Sequence, residues 1–381
     1  EVVGSLPNSR SLPPNSILRF WEWFVVVRFA ETTRNSMKTS TLLLSAVLIA
    51  STLQVEATVR RVNYVQSFAT SCATCYYGAT SFQQAIDASI DGDTIHLEPS
   101  DFSYGDVTIA KRLVVIGAGY KLGASPLNTG LQANTQTSMV RNIELIANSD
   151  GTVIMGLHFP GGQYSGLSVF STSNIRITRN FINGLSVYFP NGGTGVSDIM
   201  ISENFMTGGV TQHTQYANII TNLTIRNNII SGQLELNGGS DQMTNVVATN
   251  NTFNYNGSHQ LTNANVAFNV FNLGNIAGTN NTIHDNITAA AITGADLVSN
   301  PIVSMGNVFN LSVGTDDSKW NILASSPYNE GGPNERGAFS GISPYRLSGI
   351  PNIPTIYTLQ STLNTTPGGS VEVTLSTRTN N

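Results

Sequence analysis

Apolar positions along this chain recur in a fixed phrase: an apolar residue, two mostly polar ones, an asparagine, a variable residue and another apolar one. It reads Ile177-Thr178-Arg179-Asn180-Phe181-Ile182, Ile201-Ser202-Glu203-Asn204-Phe205-Met206 and Ile225-Arg226-Asn227-Asn228-Ile229-Ile230, with 24 residues between successive asparagines. A looser copy, Ala248-Thr249-Asn250-Asn251-Thr252-Phe253, sets Asn251 23 residues further on, and degenerate copies end at Phe271, Ile283 and Phe309. Two positions after the asparagines stand Ile182, Met206, Ile230, Phe253, Phe271, Ile283 and Phe309. Five positions before them stand Ile175, Ile199, Leu223, Val246, Ala264, Ile276 and Ile302, again all apolar. Short runs rich in Ile, Val, Phe and Thr between Asn/Gly turns predict β-strands rather than long helices. A fixed period of this size predicts stacked units, none of which can bury a core alone.

Like residues recurring at like positions predict parallel strands about 4.8 Å apart with inward apolar columns. The fold class that follows is all-β, a parallel β-helix, with right-handed coiling expected from the handedness of parallel crossovers. The column Asn180, Asn204, Asn228, Asn251 is read as structural. It belongs at a bend, where Asn tolerates left-handed backbone and its amide can bond the next asparagine.

Before the repeats, Ser81-Phe82-Gln83-Gln84-Ala85-Ile86-Asp87-Ala88 has helical apolar spacing, with Ser81 as its expected cap. Strands are predicted at 94–97, 107–109 and 113–116, so a short N-terminal capping helix closes the stack and hides its first edge. Met37-Lys38 opens an apolar run from Leu42 to Ala50 that ends at Val55-Glu56-Ala57, the pattern of a secretory signal over 37–57. Residues 1–36 then read as upstream translation, 58–340 as the repeat domain with its cap, and 341–381 as a Pro-rich linker with a C-terminal strand. The apolar run is too short to span a bilayer, so the mature chain is expected to carry no transmembrane segment and to be secreted or held at the cell surface.

Three segments resemble secreted bacterial proteins of the right-handed parallel β-helix, pectin-lyase-like class. Phe82-Gln83-Gln84-Ala85-Ile86-Asp87-Ala88-Ser89-Ile90-Asp91-Gly92-Asp93-Thr94-Ile95 is similar to that class's cap and first strand. Gly151 to Phe159 followed by Asn174 to Ile182 looks like its coil repeat. Ser325 to Gly332 with Arg336-Gly337-Ala338-Phe339 looks like its closing phrase. The resemblance covers roughly residues 80–340 and implies fold far more than activity. Class members that cleave uronic-acid polymers imply clustered Asp ligands for calcium with an Arg or Lys base, or paired carboxyls for hydrolysis.

Charged residues are 11% of the chain and the formal net charge is -5. Of 18 Lys+Arg and 23 Asp+Glu, 5 and 4 precede residue 58, leaving 13 against 19. No basic stripe exists to neutralise phosphates, which disfavours nucleic acid as a partner. Only Lys111, Lys121 and Lys319 lie beyond residue 57, which limits the bases open to lyase chemistry. Cys72 and Cys75 are read as a local disulfide or two free thiols, since zinc would need further ligands and a redox motif a strand-helix-strand setting.

Acidic residues in the repeats are thin and fall at different registers: Asp198, Glu203, Glu235, Asp241 and Asp285. Glu203 shares a column with Arg179, predicting a surface ion pair worth at most about 1 kcal/mol. Arg226 reads as a solvated outward side chain. Asp316-Asp317-Ser318-Lys319 reads as a solvated loop whose adjacent carboxylates face opposite ways. The five histidines, His96, His158, His213, His259 and His284, show no metal-ligand spacing, so no metal or other cofactor is expected, with calcium entering only with a lyase activity.

Eight and nine residues after the asparagines stand Tyr188-Phe189, Gln212-His213, Leu236-Asn237 and His259-Gln260. If registers hold, they form a face suited to sugar rings, and Tyr188, His213, Glu235 and His259 become the glycan-binding candidates. Ordinary packing and turn residues are the competing reading of that column. The function expected is a non-catalytic β-helix protein that binds a polysaccharide or cell-surface glycan or serves a structural or adhesive role. The alternative is a polysaccharide lyase or glycoside hydrolase acting on acidic polysaccharide, with catalytic residues unassigned.

Overall fold

The computed structural model describes residues 56–65, 72–124, 127–162, 165–184, 186–190, 192–213, 219–238, 242–293, 299–329, 335–362 and 371–380. The segments expected as upstream translation and most of the export signal, and Asp241 and Glu330-Gly331-Gly332, lie outside them. What is described is mostly β-structure, with one α-helix at Ser81–Ala88 and three short 3-10 turns. Among the described residues no helix is long and apolar enough to cross a membrane.

Two large sheets of 11 and 13 strands are parallel throughout, and neither closes on itself. From Val153–Met155, Arg176–Thr178, Val196–Ser202 and Ile220–Arg226 of the first sheet the chain bends into a two-residue strand of the second sheet, turns again, and forms a longer strand of that same sheet. The next repeat then pairs in register with the last. Thus Ile177, Ile201, Ile225, Ala248 and Val266 align across the first sheet, and Ile182, Met206, Ile230, Phe253 and Phe271 across the short strands. Both columns are fully buried, as are Ile175, Ile199, Leu223, Val246 and Ala264, so the apolar periodicity becomes one continuous core. The hydrophobic effect is its main favourable term.

The asparagines form a buried ladder longer than the four positions expected. Starting from Asn180, the residues Asn204, Asn228, Asn251, Asn269, Asn286 and Asn300 each offer Oδ1 to the Nδ2 of the asparagine before, at 2.8–3.1 Å. The same oxygen also accepts the backbone N–H of that preceding asparagine. The second amide hydrogen goes to a strand carbonyl, as from Asn204 to Ile177 and from Asn228 to Ile201. A bend that would otherwise bury unpaired polar groups is thereby satisfied.

Two details of the expected pattern are corrected. Left-handed backbone belongs not to the ladder asparagines but to the residue before each of the first six: Arg179, Glu203, Asn227, Asn250, Phe268 and Asp285, with φ of 53–58°. The copies ending at Ile283 and Phe309 do not contain ladder asparagines, because the repeats shorten after Asn251 and the ladder passes through Asn286 and Asn300. Ile283 pairs with Val266, three residues before ladder Asn286, and Ile302 bridges Thr288 and is half exposed instead of lying in the core.

A glycine column, Gly161, Gly184, Gly208 and Gly232, lines the turn before the second sheet. A Cβ on Gly232 would lie 2.1 Å from the carbonyl carbon of Gly208, so only hydrogen fits where the two backbones stack.

The helix closes one end. Phe82, Ala85 and Ile86 plug the core, while Gln83 Oε1 accepts Thr108 N–H and its Nε2 donates to Thr108 O, completing the edge of the second sheet like a strand. Ser81 is the first helical residue and not the cap; its hydroxyl donates to Gly78 O. Lys111 Nζ donates to the carbonyls of Ile86, Asp87 and Ser89 at the C-terminal end of the helix, where the backbone carbonyls carry partial negative charge. Nearby, Cys72 and Cys75 are joined by a disulfide.

The outward apolar column Phe181, Phe205, Ile229, Val270 and Ile287 is covered by Tyr120, Phe309, Trp320, Ala338 and Tyr345. The C-terminal segment therefore returns along the repeats, and the left-handed residues hold it. Arg179 donates to Ile350 O, Asn227 to Ala338 O and Ser340 O, Asn250 to Glu335 O and Arg336 back to Asp285 O. The stretch expected as linker thus contributes Tyr345, Ser348 and Ile350 to buried clusters, and only Thr355–Thr362 with Glu372–Arg378 forms a separate, largely exposed antiparallel hairpin.

Candidate functional site

Alternation along the second sheet turns one residue of each pair into the core and the other out. Strand register then fixes the outward rows. Asp106, Asn142 and Gly166 align in one, and Thr108, Glu144, Ser168, Tyr188, Thr211, Glu235 and Gln260 in the other. Ser186 stands beside Tyr188 and shares a hydrogen bond of 2.8 Å with Thr211. These rows border a concavity of about 560 Å³ whose lining includes Asp106, Asn142, Glu144, Ser168, Ser186, Tyr188 and Thr211.

The chemistry of this surface is that of a polar cradle with one ring. Hydroxyls, an amide and carboxylates surround a half-buried Tyr188, whose phenol burial pushes above its ordinary pKa and so keeps protonated. Gly166 contributes no side chain, which deepens the floor. At one rim Arg141 Nε donates to Asp106 Oδ1 at 2.6 Å, and a second guanidinium nitrogen reaches Asp106 Oδ2.

Of the four glycan-binding candidates, Tyr188 and Glu235 share the outward row, two strands apart. His213 lies two residues beyond Thr211 of that row, just past the end of the strand Val210–Gln212, and its ring centroid lies 6.4 Å from that of Tyr188. His259 does not belong to this face. Its neighbour Gln260 takes the outward place, while His259 is fully buried in the column of Leu234 and Ile276, Nδ1 accepting Leu234 N–H at 3.1 Å. The reason is turn length: the row lies eight residues after Asn180, seven after Asn204 and Asn228, and nine after Asn251. An offset held constant at eight or nine therefore drifts off the row. Ser168, Thr211, Glu144 and Asp106 were missed because no aromatic or charge motif marks them; only pairing register brings them together.

The remaining sequence candidates are structural. Arg179 and Glu203 form the expected ion pair at 2.8 Å, but with side chains only 13% and 8% exposed, so it is not a surface pair. Arg226 is not a solvated side chain: it is half-buried, Nε is enclosed without a hydrogen-bond partner, and a terminal nitrogen lies 3.7 Å from Met200 Sδ. The expected solvated loop at Asp316–Lys319 holds a fully buried carboxylate. Asp317 accepts from Asn128, Thr315, Tyr345 and the Ser348 N–H, while Asp316 turns away to Lys121. Burial and then the Asp317 charge push the phenols of Tyr120 and Tyr345 far up.

Among the described residues, no three His, Cys, Asp or Glu side chains come together as a metal group. Compared with known families, curated proteins and solved structures, the chain shows no significant match.

Proposed function

We propose that this chain is a right-handed parallel β-helix protein of the cell exterior whose second sheet binds a glycan without cleaving it. In-register parallel sheets, joined from Asn180 to Asn251 by repeats of 23–24 residues, support the architecture. The leader-like segment before residue 58 is the basis for export. The observation that carries the binding function is the concavity around Tyr188, where hydroxyl, amide and carboxylate groups stand in rows about one strand spacing apart. Sugar rings offer an apolar face for a tyrosine and hydroxyls for the flanking groups, and a pocket that combines a ring with placed polar groups is the ordinary form of such a site. Five strands border it, so its length, roughly 19 Å at strand spacing, suits an oligosaccharide rather than a single sugar.

A second reading draws on Asp106 and Glu144 lining the same concavity: a glycoside hydrolase using two carboxyls across a bond. A lyase has less support, since it needs a base and calcium, and Arg141 at the rim is already paired with Asp106. One experiment separates binding from cleavage. The chain is incubated with a panel of polysaccharides, with and without calcium, while retention on the polymer, reducing ends and unsaturated products are followed. Retention without products supports the binder; product formation lost in Glu144→Gln supports the enzyme.

A further inference from the structure

We infer that the glycan held at the Tyr188 concavity is uncharged, and that the groove's own carboxylates exclude uronic-acid polymers. This rests on the glycan-binding function proposed above and narrows its ligand class. The carboxylates Asp106 and Glu144 both stand exposed on this surface, and Glu235 continues the Tyr188 row beyond its end. No Lys or Arg is among the residues lining the concavity. The nearest cation in sequence, Arg141 at the rim, engages both oxygens of Asp106.

A polyuronate carries a carboxylate on every residue. Lying along rows spaced like its own sugars, it would set several of those charges beside Glu144 and Glu235, with no free cation to receive them. Like charges brought together across an interface suppress the wrong partner strongly. An uncharged chain meets only donors and acceptors: Glu144 and Asn142 accept or donate to ring hydroxyls, Ser168, Ser186 and Thr211 do both, and Tyr188 packs against a ring face. Asp106, neutralised by Arg141, adds acceptors without a free charge.

The test uses the whole chain and three soluble polymers: an uncharged hexose polymer series, polygalacturonate, and a de-N-acetylated amino-sugar polymer. Each is measured by affinity electrophoresis and calorimetry at low and high salt. The expected result is binding of an uncharged polymer with little salt dependence, and binding of polygalacturonate weaker by about tenfold or more at low salt. In the Asp106→Asn, Glu144→Gln variant, the ratio of polygalacturonate affinity to uncharged-polymer affinity is expected to rise, most at low salt, because two carboxylates are removed and Arg141 is freed; an unchanged ratio overturns the inference. Polygalacturonate binding equal to that of the uncharged polymer in the unmodified chain overturns the inference but leaves glycan binding standing. Preference for the amino-sugar polycation, abolished by salt, also overturns it. Binding to none of the three overturns the glycan function itself.

Discussion

Asn251 Oδ1 accepts two hydrogen bonds from Asn228, one from the backbone N–H and one from Nδ2, each at 3.0 Å. That doubled contact is repeated from Asn180 to Asn300. It explains why an asparagine is required at this bend. A carboxylate in its place keeps the acceptor but loses the donor, and an aliphatic side chain loses both.

Asn228→Ala is expected to lower stability by about 3 kcal/mol or more, since several buried donors and acceptors lose their partners at once. Asn228→Asp is expected to be worse, because its second oxygen would face Asn251 Oδ1 and the carbonyls of Ile201 and Arg226. Urea unfolding of both, with the exposed Asn245→Asp as control, checks the order. An Asn228→Asp variant as stable as the control contradicts the ladder's role.

Acid should weaken the fold through His259. Burial pushes its pKa down to about 4 from the ordinary 6.5, and Leu234 N–H already occupies Nδ1. The unfolded chain binds this proton below about pH 6.5 while the folded chain does not, so stability falls as pH drops from 6.5 towards 4 and is fully present above. The loss approaches about 3 kcal/mol. His158, lowered to about 4 by burial and then by Lys121, acts in the same window. Stability measured against pH is expected to show a slope reduced by about one proton in His259→Leu; an unchanged slope contradicts this assignment.

Returning the C-terminal segment to the repeats depends on single side chains. Asn227→Ala removes two buried bonds, to Ala338 O and Ser340 O. It is expected to cost about 1–3 kcal/mol and to speed proteolysis within residues 335–351. Unchanged cleavage and unfolding in Asn227→Ala would show that the apolar cover over Phe181 and Phe205 suffices alone.

Close backbone stacking leaves no room at Gly232. Gly232→Ala is expected to reduce soluble yield or lower the midpoint of unfolding, because its Cβ would meet Gly208 backbone and not a side chain that can move. Thermal melts of Gly232→Ala beside Gly192→Ala, whose added Cβ meets nothing within 4 Å, separate lost space from the strain of φ +81° at Gly192.

Much of this was legible where the repeat is strict. From Asn180 to Asn228 the spacing is constant, so the apolar columns and the Arg179–Glu203 pairing could be read directly. Legibility fails where turns change length. The strand Thr252–Thr262 shifts register at Asn254–Ser258, which turns His259 inward and Gln260 outward, and the shorter repeats after Asn251 hide Asn286 and Asn300. Asp317 was illegible for another reason: adjacent charges suggest solvent, and nothing local announces that Asn128, Tyr345 and Ser348 will supply donors from distant segments. The groove residues Ser168, Ser186 and Thr211 are ordinary strand residues until register sets them beside Tyr188.

Ligand is expected to bind in the concavity around Tyr188. Hydrogen–deuterium exchange of the whole chain, with and without a saturating uncharged oligosaccharide that it retains, tests this most directly. Slower exchange is expected in Asn142–Leu145, Gly166–Val169, Val187–Phe189 and Val210–Gln212, and is expected to vanish in Tyr188→Ala with the unliganded pattern unchanged. Protection confined to other strands, or persisting undiminished in Tyr188→Ala, contradicts it.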